Sequence, residues 1–305
     1  MILRSATRGG HAPTNRPPSR LPHLLLLAPA LLVVGGLFGG GLFMGLLQSL
    51  GHLPAAGLVH LTLAHFGALF SAPDFFTSLR LTLYVAATAT LIATLISVAL
   101  ALFLVRASHQ SRLLTFLLQI PLTVPHLVVA VAMIFLLTPS GLFARLAESL
   151  GLIDTVQHFP LLVNDTWCIG MISAYVWKEV PFITLMILSV LSSTGVELLD
   201  VGRTLKAGPW QRFRFITLPT IFPSLSAAAL IVFAYTFGAF EVPFLMGRTY
   251  PMLLPVRAYK SYSDVDLMAR PEGIATGLVI AAVVSLTVFL AHAVLSCSRR
   301  RGMVP

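Results

Sequence analysis

Cysteine is nearly absent from this chain. Cys168 and Cys297 are the two among 305 residues, and they fall at opposite ends of different apolar runs, so neither a disulfide framework nor a cysteine-based zinc site is supported. Charge is scarce as well: Asp, Glu, Lys and Arg together make up 10% of the chain, far below a soluble globular domain. Acids are rarer than bases, 11 against 20, for a net charge of +9. Those bases are scattered between apolar runs rather than gathered into a patch interleaved with aromatics, which argues against a nucleic-acid surface. No lysine follows a glycine, so there is no Walker A phosphate loop. H-E-x-x-H, G-x-S-x-G and C-x-x-C are also missing, which leaves a hydrolase or redox enzyme nothing to work with. His52, His60 and His65 are too loosely spaced for a metal site and read as interfacial or solvated. No catalytic residue, metal or cofactor is expected.

What is abundant is apolar sequence, at 57% of residues. The question becomes how often the chain crosses a bilayer. Leu24–Leu50 carries no charge and exceeds the roughly 20 residues a crossing needs. A signal peptide is the rival reading, given the basic start and Ala28-Pro29-Ala30, but the apolar run continues well past that point and favours an uncleaved span. A second uncharged run lies between Arg80 and Arg106. A third runs from Leu113 to about Leu137 and holds Pro121 and Pro125, which should kink it. Residues 138–165 form a connection in which Leu142–Leu152 reads as a short interfacial helix. The fourth span, about 167–190, contains Lys178 and Glu179, and the fifth, about 224–247, contains Glu241. The connection 248–272 sets Arg248, Arg257, Lys260 and Arg270 against Asp264, Asp266 and Glu272. The sixth run extends from Gly273 to Cys297.

Six crossings place both termini on one side. With the amino terminus inside, the cytoplasmic segments hold about twice as many bases as the outer ones, as the positive-inside rule requires. Adjacent charges on a helix do not face one another. Lys178 and Glu179 therefore address different partners: either a polar solute path, or backbone carbonyls and neighbouring helices without any contact to solute.

One stretch is polar. In Thr194–Pro223, Thr194 and Glu197 have the spacing of a capping box. Glu197 and Asp200 sit near the positive end of the helix this predicts, Arg203 and Lys206 near its negative end, and Leu198, Val201 and Leu205 form an apolar stripe. Ala207-Gly208-Pro209 ends that helix and opens a second with Trp210 and Phe213 on one face. Two short helices at an angle make a docking surface.

This stretch resembles the cytoplasmic E-A-A loop of binding-protein-dependent ABC transporter permeases. Asp200, Val201 and Gly202 take the E-A-A places, Lys206 takes the place of the pattern's glycine, and Ile216, Leu218 and Pro219 match its I-x-L-P end. The resemblance extends over about residues 75–297. It implies an all-α integral membrane protein with a type I importer-like fold, six transmembrane helices and both termini cytoplasmic, in a bacterial inner membrane. It divides the chain into a basic tail (1–20), a first span with its outer connection (21–74), a five-helix permease domain (75–297) carrying the coupling loop (192–223), and a second tail (298–305). It further implies two copies of an ABC ATPase, a second permease subunit, identical or related, and an extracytoplasmic solute-binding protein. The ATPase would be met through Glu197, Asp200, Val201, Gly202, Arg203, Lys206, Ala207, Gly208, Trp210, Ile216 and Pro219. Phe237–Gly247 looks like permeases for polyamines, related organic amines or aminophosphonates, with Lys178, Glu179 and Glu241 as candidate path residues. Glu179 and Glu241 suit a cationic amine, whereas Lys178 suits an anion. An ion-coupled secondary transporter and a non-transporting scaffold remain the competing functions.

Overall fold

A computed structural model describes residues 20–106, 112–195, 204 and 206–300. Residues 1–19, 107–111 and 301–305 and, within the polar loop, Glu197, Asp200, Val201, Gly202 and Arg203 lie outside those residues. Chain contacts separate two units, Met1–Gly45 and Leu46–Pro305. The first consists of most of α1 (Arg20–Ser49), a helix that holds Pro29 within it.

The second unit is all-helical among the described residues. Its elements are α2 (Ala64–Ser71), α3 (Phe75–Arg106), α4 (Arg112–Thr123), α5 (His126–Leu137), α6 (Leu142–Ser149), α7 (Ile169–Val190), α8 (Pro209–Arg212), α9 (Leu218–Gly238), α10 (Glu241–Met246), α11 (Leu254–Tyr262) and α12 (Arg270–Arg300). Among the described residues, six helical stretches are long and apolar enough to cross a membrane: Leu26–Ser49, Phe75–Val105, His126–Ser149, Ile169–Ser193, Pro209–Gly238 and Leu267–Ala293.

The packing centre is the pair α3 and α7. Along α3, Ala89, Ala93, Ser97 and Ala101 recur every fourth residue and are buried, so small side chains let another helix approach closely. Ile183 and Ile187 of α7, Leu191 just after it, and Ile221, Leu225, Ala228 and Val232 of α9 fill that seam. Ser97 seals it by donating its hydroxyl to the Val180 carbonyl at 2.9 Å. On the outward faces large apolar side chains such as Leu91, Phe103, Phe135 and Phe289 are exposed. Hydrocarbon is as good a solvent for them as the interior.

Three boundaries differ from the sequence reading. The third run is interrupted rather than kinked: α4 and α5 are separate 12-residue helices, each about 18 Å long at 1.5 Å per residue, and the third candidate crossing is His126–Ser149, which reaches into the connection expected at 138–165. Pro125 is the cause, since it sits extended just before α5 at ψ 144° and offers no amide proton. The fifth crossing is displaced towards the amino terminus. It starts at Pro209 and ends at Gly238, so the helix bearing Trp210 is the first turn of a crossing, not a separate short helix. Pro219 lies in the first turn of α9, where a missing amide proton is tolerated, and the preceding turn Phe213–Thr217 is widened to i→i+5 bonding. Glu241 is therefore not inside the fifth crossing; it opens α10 beyond a break at Ala239. Thr194 lies in a wide turn, Leu191–Gly195, that follows α7; the helix expected after it falls outside the described residues.

Candidate functional site

The interruption between α4 and α5 sets the polar chemistry inside the bundle. A helix end leaves its last carbonyls without partners, and within a bilayer no water is at hand to meet them. Lys178, in the middle of α7, meets three. Its ammonium donates to the carbonyls of Pro121 at 2.6 Å, Leu122 at 2.9 Å and Val124 at 2.6 Å, and the residue is 6% exposed. Three donors on three acceptors exhaust its hydrogen-bonding capacity. The positive charge also lies at the negative end of α4.

Glu179, the next residue, reaches across the gap. Its Oε1 lies 3.2 Å from Nε2 of His126, the first residue of α5. The imidazole in turn packs against Tyr235 of α9, with ring centroids 4.6 Å apart. One turn before Glu179 on α7, Tyr175 is 0% exposed and its hydroxyl has no hydrogen-bond partner among the described residues. The carboxylates of Glu179 and Glu241 both act electrostatically on the Tyr175 and Tyr235 hydroxyls. The structure thus gathers Glu179, Glu241, His126, Tyr175 and Tyr235 into one region, while the donors of the adjacent Lys178 go to backbone carbonyls. Two carboxylates among aromatic rings can take a cation by charge and by ring-face attraction.

At the start of the fifth crossing a second surface is formed. Lys206 adopts φ 55°, the left-handed conformation that glycine supplies at helix ends. Beyond Ala207, Gly208 is extended and donates its amide to Oε1 of Gln211 at 2.9 Å, a side-chain cap on α8. Trp210 and Phe215 are 68% and 71% exposed, Trp210 leans on Phe213 with centroids 5.5 Å apart, and Arg214 lies 5.9 Å from the Phe215 ring centre. Ile216 and Pro219 are half-buried, anchoring this corner to the bundle.

Residues 93–301 match the family described as binding-protein-dependent transport system inner membrane component. The chain belongs to that family. It is 28% identical over 206 residues to the molybdenum transport system permease protein ModB of Azotobacter vinelandii, over 67% of this chain and 87% of that one. With the spermidine/putrescine transport system permease protein PotB of Escherichia coli it shares 28% over 215 residues, 70% of this chain and 76% of the relative. Among solved structures, a bacterial ABC transporter that imports the acidic polysaccharide alginate matches with a TM-score of 0.75 at 20% identity, covering 92% of this chain and 96% of that chain. The MetNI methionine ABC transporter matches at 0.54 and 17% identity, covering 74% and 98%.

As a member of this family, the protein is a multi-pass permease subunit of the inner membrane with the fold of ABC importer permeases. Sequence reasoning named Glu179, Glu241 and Lys178 but missed His126, Tyr175 and Tyr235. His126 had a weak signal, a titratable residue directly after the proline that breaks the span. The tyrosines had none, because nothing local distinguishes them from other span aromatics.

Proposed function

We propose that this permease subunit carries a small organic cation of the amine class, driven by a separate ATPase that grips the 192–223 segment from the cytoplasm. In the working complex two permease subunits pair with two ATPases, both termini face the cytoplasm, and an extracytoplasmic binding protein delivers solute to the connections 150–168 and 239–266, between the third and fourth and the fifth and sixth crossings. The observation that carries the solute reading is the disposal of Lys178. With that ammonium's donors taken by three carbonyls, the groups left to bind a solute around the interruption are the carboxylates of Glu241 and of Glu179, which His126 meets at 3.2 Å. Carboxylates at this point favour a cation over an oxyanion in a medium of low dielectric. The exposed Trp210 and Phe215 at a capped corner support the coupling reading, since aromatic anchors dominate protein–protein contacts. PotB, a relative named for spermidine and putrescine transport, is consistent with the amine class.

The test is reconstitution in proteoliposomes with the ATPase and binding protein, scoring solute-stimulated ATP hydrolysis and uptake. Putrescine or spermidine should stimulate, and Glu179→Gln with Glu241→Gln together should abolish the stimulation. Stimulation by molybdate or sulfate with none by amines would overturn the solute class. Uptake that persists without ATP would make the protein a secondary transporter, and neither uptake nor ATPase association would make it a scaffold.

A further inference from the structure

We propose that Lys178 is a positioning residue for transport: it fastens the interruption between α4 and α5 to α7, so that the two move as one body. Pro125 has no amide proton for the Pro121 carbonyl, and the Leu122 and Val124 carbonyls lie at the end of α4, where a helix runs out of donors. Lys178 fills this three-carbonyl nest completely, through charge-assisted bonds that are about twice as strong as neutral ones. Sliding α4 along α7 would strip a buried ammonium of all three partners at once. Glu179 holds the other side of the gap through His126. Adjacent residues of one helix therefore fasten both lips of the interruption.

α7 also runs on, through the wide turn Leu191–Gly195, into the polar segment read above as the ATPase grip. A displacement delivered there passes along α7 and carries the interruption with it, together with His126 and its contact to Tyr235. The fastening is thereby a mechanical link between the grip and the cluster proposed to meet solute. This inference rests on the coupling reading given under Proposed function.

Spin-label distances in the assembled complex test it. In a background with Cys168 and Cys297 replaced by serine, labels at Leu127→Cys on α5 and Ile169→Cys on α7 report the fastened pair, and labels at Leu127→Cys and Ile231→Cys report the interruption against α9. All three positions are exposed. Between nucleotide-free and ATP-bound states the 127–169 distance should hold while the 127–231 distance shifts. Lys178→Met should broaden the 127–169 distribution and lower solute imported per ATP by about tenfold, a coupling loss within the usual range, with ATPase binding retained. Lys178→Arg, which keeps donors and charge, should recover part of the coupling. A 127–169 distance that changes with nucleotide in the wild-type complex overturns the proposal, as does undiminished import per ATP in Lys178→Met. Should Lys178→Met fail to assemble, the wild-type distances decide alone. Failure of the ATPase to bind the wild-type subunit overturns the proposed function as well, whereas binding with independent motion of the interruption overturns this inference only.

Discussion

Replacing Arg257 with methionine should destabilise the bundle by about 2 kcal/mol, a magnitude set between the buried and exposed limits for ion pairs. Arg257 of α11 lies 2.8 Å from the Asp74 carboxylate, just before α3, and donates to Glu272 in the first turn of α12 at 2.9 Å. One guanidinium thus ties the starts of three helices. An ion pair broken in the interior costs about 3–5 kcal/mol, and one at the surface about 0–1. The Arg257 side chain is 11% exposed, close to the first limit, whereas Asp74 and Glu272 are 34% and 32% exposed and recover water once abandoned. Asp74→Asn removes one of two partners and should cost about 1 kcal/mol. The guanidinium beside Asp74 holds its carboxyl below the ordinary value. A carboxyl lowered on folding stabilises the protein above its unfolded value of about 4 and loses that contribution as pH falls through the lower folded value. Unfolding in mixed micelles, followed by tryptophan fluorescence from neutral pH down to strong acid, gives the measurement. The gap in stability between wild type and Asp74→Asn should shrink as acid is added. A gap that stays constant or widens, or an Arg257→Met protein as stable as wild type, refutes the reasoning.

Trp210→Ala should cost only about 0.5–1 kcal/mol of stability, since the side chain is exposed and its one ring contact is to Phe213, yet weaken ATPase association by tenfold or more, on the order of an interface anchor; equal recovery of the ATPase in pull-downs from detergent would contradict this. Lys206→Gly should be close to neutral, because relief of about 1 kcal/mol of left-handed strain offsets the entropy glycine adds to the unfolded chain. Lys206→Val, with a branched side chain at φ 55°, should lower ATPase coupling, and unchanged coupling would show that the conformation is dispensable. The Cys168 thiol is pushed up to about 11, chiefly by burial and then by Asp165. At pH 8 only about a thousandth of it is thiolate, so in Cys297→Ser protein maleimide labelling should be slow; rapid labelling at that pH would rule out the buried setting.

The crossings were legible because hydropathy and length act locally: a run of about 20 apolar residues has few other uses. Proline was legible as a disturbance but not in its degree. Pro121 and Pro125 point to a kink, and the separation of α4 from α5 becomes visible only when a lysine 54 residues beyond Val124 is seen taking the freed carbonyls. The sequence pattern also foresaw that Lys178 and Glu179 would face different partners, since neighbours on a helix diverge, while leaving open which. The place where the loop pattern lacks its glycine shows the reverse. A lysine there reads as a departure, yet Lys206 takes the backbone conformation the glycine would have supplied. The fifth crossing was misplaced because Pro219 and Pro223 resemble breakers, and an i→i+5 turn that absorbs a missing donor leaves no mark on composition.

The interruption and the buried lysine account for one another. A lysine at the centre of a membrane helix costs about 2.5–3.5 kcal/mol, and each carbonyl left without a donor in hydrocarbon costs several more. Together the two costs largely cancel; apart, each stands alone. The consequence is a measurable coupling between residues 53 positions apart in sequence. Pro125→Ala restores an amide proton that can serve the Pro121 carbonyl, one of the three that Lys178 now serves. Losing Lys178 should therefore hurt less in the Pro125→Ala background than in the wild type. The double variant should be more stable than the sum of the single changes predicts by about 1 kcal/mol, within the range found for residues that share a partner. Strict additivity in that cycle would mean that the ammonium and the proline do not act on the same carbonyl, and the account of why this span is broken would fail with it.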